Sequence, residues 1–394
     1  MRKILNAEIY LCFIVLFPCF FGYLGLNTGQ MLYLLVVTLI PVFEFITDST
    51  FFTEIVDVKN IQYVIIFLLL CCEYFISTIM NFGINSYFLG DFIEILRPIV
   101  YLWTYISSLL VMKPVVKQKG CDYVFDLFEN IVFAFSIFEF LKFFRPAFPF
   151  FALYSPFSFG SINFIRMSGT TGFAYSYAWI LGICLFLNVR KHQKMNFKSV
   201  YYILLILLTG SRTGAMSLVC VLFFIFIFYR KSRRTIILSA IFISALIIFL
   251  YAMNVEVVKI SIDYIIRLVK ALLLGKGSDG SLSTRTRQNQ IAMQNFDNHM
   301  LLGIASNKAQ NITIENFYFH HLRNWGILGI ILYVICLFVF YFQTPKEYKK
   351  LIFIIIFTGL IISFSSPIFD QIRNFNIMYF FFASVTLGHK VRTK

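Results

Sequence analysis

Charge is scarce in this chain: Asp, Glu, Lys and Arg together make up 13% of 394 residues, and only 19 are acidic. A soluble domain carries about 25% charged residues, so that class is excluded. Cysteine is misplaced for a disulfide scaffold or a zinc site. Of eight Cys, Cys12, Cys19, Cys71, Cys72, Cys184, Cys220 and Cys336 lie in apolar segments and Cys121 in a short polar connection. The one long polar loop holds none. No internal repeat and no separate soluble domain is present. What fills the chain is hydrophobic, at 59% of residues including 50 Phe, with a mean hydropathy of +0.79.

The formal charge of +15 does not mark a nucleic-acid binder. More than half of the 34 Lys and Arg sit in short connections between apolar stretches. These are Arg2-Lys3, Lys59, Lys113/Lys117/Lys119, Arg190-Lys191/Lys194/Lys198, Arg230-Lys231/Arg233-Arg234, Lys346/Lys349-Lys350 and Lys390/Arg392/Lys394. Cytoplasmic loops of membrane proteins accumulate such residues, where they also meet anionic lipid. A span needs about 20 apolar residues. Spans are expected near 8–24, 30–47, 61–80, 92–112, 123–141, 172–189, 197–210, 213–229, 235–253, 318–342, 351–366 and 374–388. These about twelve crossings place both termini and every basic cluster inside, in one all-α, polytopic membrane domain covering 1–394. The first segment reads as a retained span, not a signal peptide. Gly210-Ser211-Arg212-Thr213-Gly214 divides two short segments. A hairpin there keeps the Arg230 cluster inside, whereas one broken helix would put it outside.

Three outer regions follow: one near 81–91, the loop 142–171 and the large loop 254–316. The loop 142–171 carries Pro146, Pro149 and Pro156 with Gly160 and Gly169, and reads as irregular and partly re-entrant. The large loop 254–316 starts with an amphipathic stretch, Val255 to Leu274, of interfacial character. After a glycine-rich turn, Ser283 or Thr284 can cap a helix running to about Phe296. Arginine gathers on this side: Arg166, Arg212, Arg285, Arg287, Arg323 and Arg373. Its planar, permanently charged guanidinium suits bidentate contact with phosphate. The competing reading has these groups solvated or paired with Asp279, Asp297 and Asp370. Arg97 lies on the order of 9 Å inside its expected span, a costly position that marks function or a structural pair with Glu94. Glu44, Glu73, Glu129 and Glu139 are expected at span ends or in packing pairs, such as Glu139 with Lys142.

Several stretches of this outer face resemble the O-antigen polymerase and ligase superfamily, and within it the Wzy-type polysaccharide polymerases. Thr209-Gly210-Ser211-Arg212-Thr213-Gly214 resembles the family's Thr-Gly-Ser-Arg-Thr signature between two short spans. Ser283-Thr284-Arg285-Thr286-Arg287 leads through a helix to His299-Met300-Leu301-Leu302-Gly303-Ile304, similar to the family's arginine, helix and Leu-Leu-Gly run. Glu315-Asn316-Phe317-Tyr318 and Trp325-Gly326-Ile327-Leu328-Gly329 resemble the His-Asn and Gly-Ile-Leu-Gly motifs at the mouth of the next span. Arg166-Met167-Ser168-Gly169 is similar to a fourth, shorter motif. The likeness covers the second half of the chain by motif and the first half by topology. Here Glu315 stands at the motif histidine, with His320 and His321 five and six residues on, and the proline of the His-Pro-Leu-Leu-Gly run is missing.

The resemblance implies a GT-C-like membrane glycosyltransferase that uses no metal, cofactor or nucleotide sugar. It would sit in the bacterial inner membrane and serve polysaccharide or lipopolysaccharide biosynthesis. Its reaction would transfer a growing glycan, with inversion, from undecaprenyl diphosphate to the sugar of a second lipid-linked repeat unit. Glu315 is the first choice of base, His320 the second, and Arg287 the stabiliser of the leaving diphosphate. Arg97, Arg166, Arg212, Arg285, Asn316, Tyr318 and Arg323 are the candidate substrate-binding residues. Tyr318 and Trp325 would pack on sugar rings or anchor the span at the interface. A chain-length regulator and a flippase are the implied partners. An O-antigen ligase is the nearest alternative. A lipid-linked oligosaccharide flippase is a further one, though it should show two similar halves, which are absent.

Overall fold

The computed structural model describes residues 2–16, 33, 35, 37–43, 46, 58–82, 95–144, 167–171, 173–253, 280–305, 314–366 and 368–392. Among them the chain is helical, without a strand. The helices are α1 (Arg2–Leu16), α2 (Val58–Phe82), α3 (Arg97–Phe144), α4 (Ala174–His192), α5 (Phe197–Leu208) and α6 (Arg212–Phe228). They continue with α7 (Arg233–Ala252), α8 (Gly280–Asn298), α9 (Phe317–Gln343), α10 (Lys349–Ser363) and α11 (Ile372–Arg392). Within α3, Gly120 has φ 82° and ψ 168°, so the ladder breaks there. This matches the expectation of two segments divided at the Lys113/Lys117/Lys119 connection.

Burial runs in the direction a membrane domain requires. On α2 the outward side is Ile65, Leu68, Leu69, Phe75, Ile76, Ile79 and Met80, all exposed, while Glu73, Ser77 and Thr78 are buried. An apolar outside with a polar inside is the inverse of a water-exposed helix, and suits contact with lipid. By length and composition, Ile61–Asn81 and Phe317–Gln343 can each cross a membrane, and a third span arises if α6 and the helix after it, bent by 119°, count as one. The second expected segment, 30–47, is described only in part. The first expected segment is described to Leu16, and the stretch 255–274 lies outside the described residues.

The interior contacts settle the choice between hairpin and broken helix. Along α4, Gly182 faces Val221 and Phe186 faces Tyr229, so α6 runs parallel to α4. Ser199 Oγ donates to Asn188 Oδ1 at 2.9 Å, at the start of α5, so α5 climbs antiparallel beside α4. Asn196 and Ser199 close a capping box there, and Gly210 at φ 59° lets the chain reverse. The hairpin places Tyr229 back at the end where α4 finishes.

Among the described residues, that end gathers the basic groups around Lys119, Arg190, Lys198 and Lys350. Arg190 pairs with Asp122 at 2.9 Å and Lys191 with Asp126 at 2.8 Å. Lys119 pairs with Glu8 at 3.0 Å. Lys350 lies over Phe228 and Tyr229, and Arg190 over Tyr348. Lys198 bonds the buried Glu129, which also accepts from Tyr202 Oη at 2.6 Å. Glu129 is therefore a packing pair, as expected. Glu139 accepts from the backbone N–H of Gly169 at 3.2 Å, whereas the side chain of its expected partner, Lys142, lies outside the described residues. Glu73 departs from expectation. It is 3% exposed, in the middle of α2, and neither carboxyl oxygen has a hydrogen-bond partner among the described residues. Gly329 of α9 makes its room, since a Cβ there would stand 3.1 Å from Glu73 Oε2.

The break in α9 organises the opposite end. Gly326 adopts φ 61° and ψ −163°, which removes backbone groups from the helical ladder. The loop after α8 supplies their partners. Ile304 and Ala305 N–H donate to the carbonyls of Arg323 and Asn324, each at 2.8 Å. Ile327 and Leu328 N–H donate to Met300 and Leu301 at 2.9 and 3.2 Å. Gly303, at φ 66°, lets the loop press on α9, and a Cβ there would fall on the carbonyl of Asn324. Ser77 and Asn81 of α2 donate to the carbonyls of Leu302 and Gly303. Gly303→Ala should therefore destabilise the protein by about 2 kcal/mol or more, through left-handed strain plus a backbone clash. Gly182→Ala, where the nearest atom is 3.6 Å away, should be neutral or slightly stabilising because alanine is the better helix former. Thermal unfolding of both variants in detergent checks this; equal midpoints would refute the role of Gly303.

Candidate functional site

The break brings α8 back alongside the first turns of α9, and there α8 forms an ion pair with the residue that precedes the α9 N-cap. Arg285 Nε lies 2.9 Å from Glu315 Oε2, with side chains 39% and 45% exposed. Gln288, one turn along α8, accepts the backbone N–H of Glu315 at 3.4 Å. For Arg285 the partner is thus Glu315, whereas Asp279 and the side chain of Asp370 lie outside the described residues. A pair this open to solvent contributes about 0–1 kcal/mol. It orients groups more than it stabilises the fold.

Asn316 follows as the N-cap of α9. Its Oδ1 accepts from the N–H groups of Tyr318 and Phe319 at 3.0 and 3.3 Å. Its Nδ2 donates to the carbonyl of Phe364 at 2.8 Å, at the end of α10. Tyr318 Oη donates to Leu360 O at 2.8 Å, and its ring meets Phe364. Ser365, next along, donates to Thr213 Oγ1 at 3.0 Å, and Ser211 caps α6 by accepting from Gly214 N–H at 3.1 Å. The Ser-Arg-Thr stretch, the end of α10 and the mouth of α9 are therefore joined by side-chain bonds. Arg212 is half-buried at the first position of α6.

Further along α9, the Nδ2 of Asn324 lies 3.1 Å from Nε2 of His320, and Arg323 Nη1 donates to Asn324 Oδ1 at 3.3 Å. Arg323 and His321 are buried, at 3% and 2% exposed. His321 packs on Phe317 with centroids 4.1 Å apart. The two candidate bases thus differ in surroundings: Glu315 is half-exposed against an arginine, and His320 is half-buried against an asparagine.

Other expectations fare unevenly. Arg287 is exposed on α8, two residues beyond the one that meets Glu315. Arg97 opens α3, after a turn at Leu96, and its expected partner Glu94 lies outside the described residues. Arg166 and the side chain of Arg373 lie outside the described residues. The helix expected from Ser283 starts at Gly280, leaving Ser283 inside it. Trp325 is neither a sugar platform nor an interfacial anchor: it is 3% exposed and stacked on Tyr74 at 3.6 Å. Sequence reasoning missed Gln288, Asn324, Ser365, Ser77 and Asn81. Polar residues inside apolar runs were the available signal for the last three.

Asn316→Ala should cost about 1–2 kcal/mol through the lost cap alone, and more because α10 loses its tie. Asn316→Asp keeps the cap but removes the donor to Phe364, so it should fall between. Unfolding midpoints in that order check the assignment; Asp matching Ala would remove the cap from the account.

Compared with known proteins, residues 197–334 match the family model Wzy_C, described as O-Antigen ligase, consistent with the O-antigen polymerase and ligase superfamily. The match runs from the start of α5 into α9, and so takes in the Ser-Arg-Thr turn, the Arg285–Glu315 pair and the Gly303–Gly326 contact. No curated protein matches the chain. The family and the apolar helices together indicate a membrane protein with a glycosyltransferase-like activity of the ligase or polymerase kind.

Proposed function

We propose that this protein is a polysaccharide polymerase of the Wzy type, with about twelve spans in the bacterial inner membrane. It joins lipid-linked oligosaccharide repeat units at the outer face, and undecaprenyl diphosphate leaves. The observation that carries this reading is the Arg285–Glu315 pair, 2.9 Å across and half-open to solvent, within the segment that matches the family.

The pair offers both functions that the transfer needs. The acceptor hydroxyl attacks the anomeric carbon, the bond from that carbon to the diphosphate oxygen breaks, and the hydroxyl proton passes to a base. A diphosphate draws guanidinium groups by charge-assisted, bidentate bonds. Arg285 can exchange Glu315 for the diphosphate, because the pair it leaves contributes about 1 kcal/mol at most. Glu315 then stands free to accept the proton, with His320 the second candidate. Arg287, exposed beside it, adds charge to the departing group, and Arg212 and Arg323 contribute from the α6 and α9 side. Arg97 and Arg166 complete the proposed substrate contacts. Asn316 and Tyr318 hold the mouth of α9 against α10, and so position the Glu315 carboxylate.

A second reading is a ligase that moves finished glycan to a lipid acceptor, favoured by the description of the matched family. The chemistry at the diphosphate is shared and only the acceptor differs. The glycan profile of a deletion strain separates them: single repeat units indicate a polymerase, polymer retained on the lipid carrier a ligase. Accumulation on the cytoplasmic side would instead indicate a flippase and sink both.

Arg287→Ala should abolish long-chain ladders while the protein stays inserted and abundant. Normal ladders would overturn the role of the arginine. Glu315→Gln should slow turnover by about 10²–10⁴-fold, the usual contribution of a positioned base, while lipid-linked substrate still binds. Unchanged turnover would transfer the base to His320.

A further inference from the structure

A second polar cluster lies beside the site, where α4 and α11 begin. Gln371 Oε1 accepts from Ser176 Oγ at 3.0 Å and from Asn374 Nδ2 at 2.8 Å. Gln371 Nε2 donates to Tyr175 Oη at 2.6 Å, and Asn374 Nδ2 also donates to Ser176 Oγ at 2.9 Å. Tyr175 stacks on Phe173 with centroids 5.3 Å apart, and both rings are half-buried, as is Gln371. Ser176 and Asn374 are buried beneath them, at 0% and 1% exposed.

This cluster connects to the site already described. Gly214, in the first turn of α6, sits against Ala178 of α4, one half-turn below Ser176. Thr213 bonds Ser365, and Ser365 is the neighbour of the Phe364 that holds Asn316. The cluster therefore meets the Ser-Arg-Thr turn through the Gly214–Ala178 packing contact, and that turn meets the mouth of α9 through Thr213, Ser365 and Phe364.

Two features of the cluster exceed what packing needs. Asn374 Oδ1 is buried and accepts no hydrogen bond among the described residues, which a packing role leaves unexplained. Among the described residues Gln371 Nε2 donates to Tyr175 Oη, and its amide carries a second hydrogen. The four polar members are Tyr, Ser, Gln and Asn, with no charge among them, so the ligand they suit is neutral. Amide and hydroxyl groups that donate and accept side by side match vicinal hydroxyls, and a stacked aromatic pair offers a flat apolar face.

We infer that Phe173, Tyr175 and Gln371, backed by Ser176 and Asn374, form a subsite for a neutral sugar ring of the lipid-linked glycan. The ring lies on the Phe173–Tyr175 face, and its hydroxyls bond the Gln371 amide. Asn374 and Ser176 act behind it by fixing the amide's orientation. This deepens the proposed function and rests on it.

The test uses the full-length protein in detergent and the lipid-linked repeat unit extracted from a strain lacking it. Gln371→Ala should raise KM for that substrate about tenfold, the effect of losing a hydrogen bond of ordinary strength, with kcat changed far less. Gln371→Glu keeps the oxygen that Ser176 and Asn374 donate to and turns the amide donor into a charged acceptor, to which Tyr175 Oη can donate instead, so it should fold normally and show the same rise. Inhibition by undecaprenyl diphosphate, which has no sugar, should keep its wild-type strength in both variants. An unmoved KM, or a KM and inhibition constant that weaken together, overturns the subsite. Wild-type protein that transfers nothing overturns the proposed function instead. Calorimetric titration with the free repeat oligosaccharide then reads the subsite separately: binding lost in Gln371→Glu sustains it, and binding absent from wild type or retained in the variant ends it.

Discussion

A helix that opens inside an apolar bundle must have its freed backbone groups satisfied by protein, because lipid offers no hydrogen bonds. The rest of this structure depends on how α9 meets that demand at Gly326. The loop from Met300 to Ala305 lies against the opening and exchanges four backbone bonds with it. Two left-handed glycines, Gly303 and Gly326, allow the close approach from either side. The consequence is positional. Because the loop is fixed at the break, α8 ends there and runs beside the first segment of α9. From Arg285 to Asn298 is roughly 20 Å of helix at 1.5 Å per residue, enough to return the arginine to the mouth of α9. The Arg285–Glu315 pair is thus a product of the break.

The same reasoning explains why the polar groups divide between two ends. Lysines and arginines near α4, α5, α6 and α10 meet carboxylates and aromatic rings at one end, where α4 finishes and α5 begins. At the other, caps and backbone bonds prevail: Asn316, Ser211, Thr213, Ser365, Asn81 and Ser77 each bind a backbone group or another hydroxyl. The α5–α6 hairpin matters because it puts the Ser-Arg-Thr turn at this second end. A continuous helix would have carried it into the middle of the bundle.

Helices were legible in the sequence because apolar length and basic punctuation are strong signals. The bounds of α4, α6, α9 and α10 fall within a few residues of those expected, and the division of α3 lies at the glycine beside Lys119. The glycine motifs were legible as patterns, but their cause was not: nothing local in Gly303-Ile304-Ala305 says that the amides of Ile304 and Ala305 will serve the carbonyls of Arg323 and Asn324 far along the chain. Side-chain facing was equally hidden. Arg285 and Arg287 look alike in sequence, yet about 200° of helical rotation separates them, and only Arg285 turns to Glu315. Trp325 misled because aromatic residues at span mouths usually face lipid headgroups; a close helix neighbour, Tyr74, buried it instead. Glu73 misled in the opposite way, because charge deep in an apolar segment is rare enough that span ends were the natural expectation.

What fixes the site and what remains exchangeable in it follow from unequal energies. A capped helix end and a buried backbone bond each cost about 1–3 kcal/mol to break, and here several act together on the mouth of α9. The ion pair, half-open to solvent, contributes at most about 1 kcal/mol. An incoming anion can therefore displace Glu315 from Arg285 without disturbing Asn316, Tyr318 or the turn at Ser211. In the proposed function the frame stays rigid and the charge changes partner. Had the pair been buried, removing one member would have stranded the other at a cost of several kcal/mol, and the arginine would be held for structure alone. Its partial exposure is what leaves it available for chemistry.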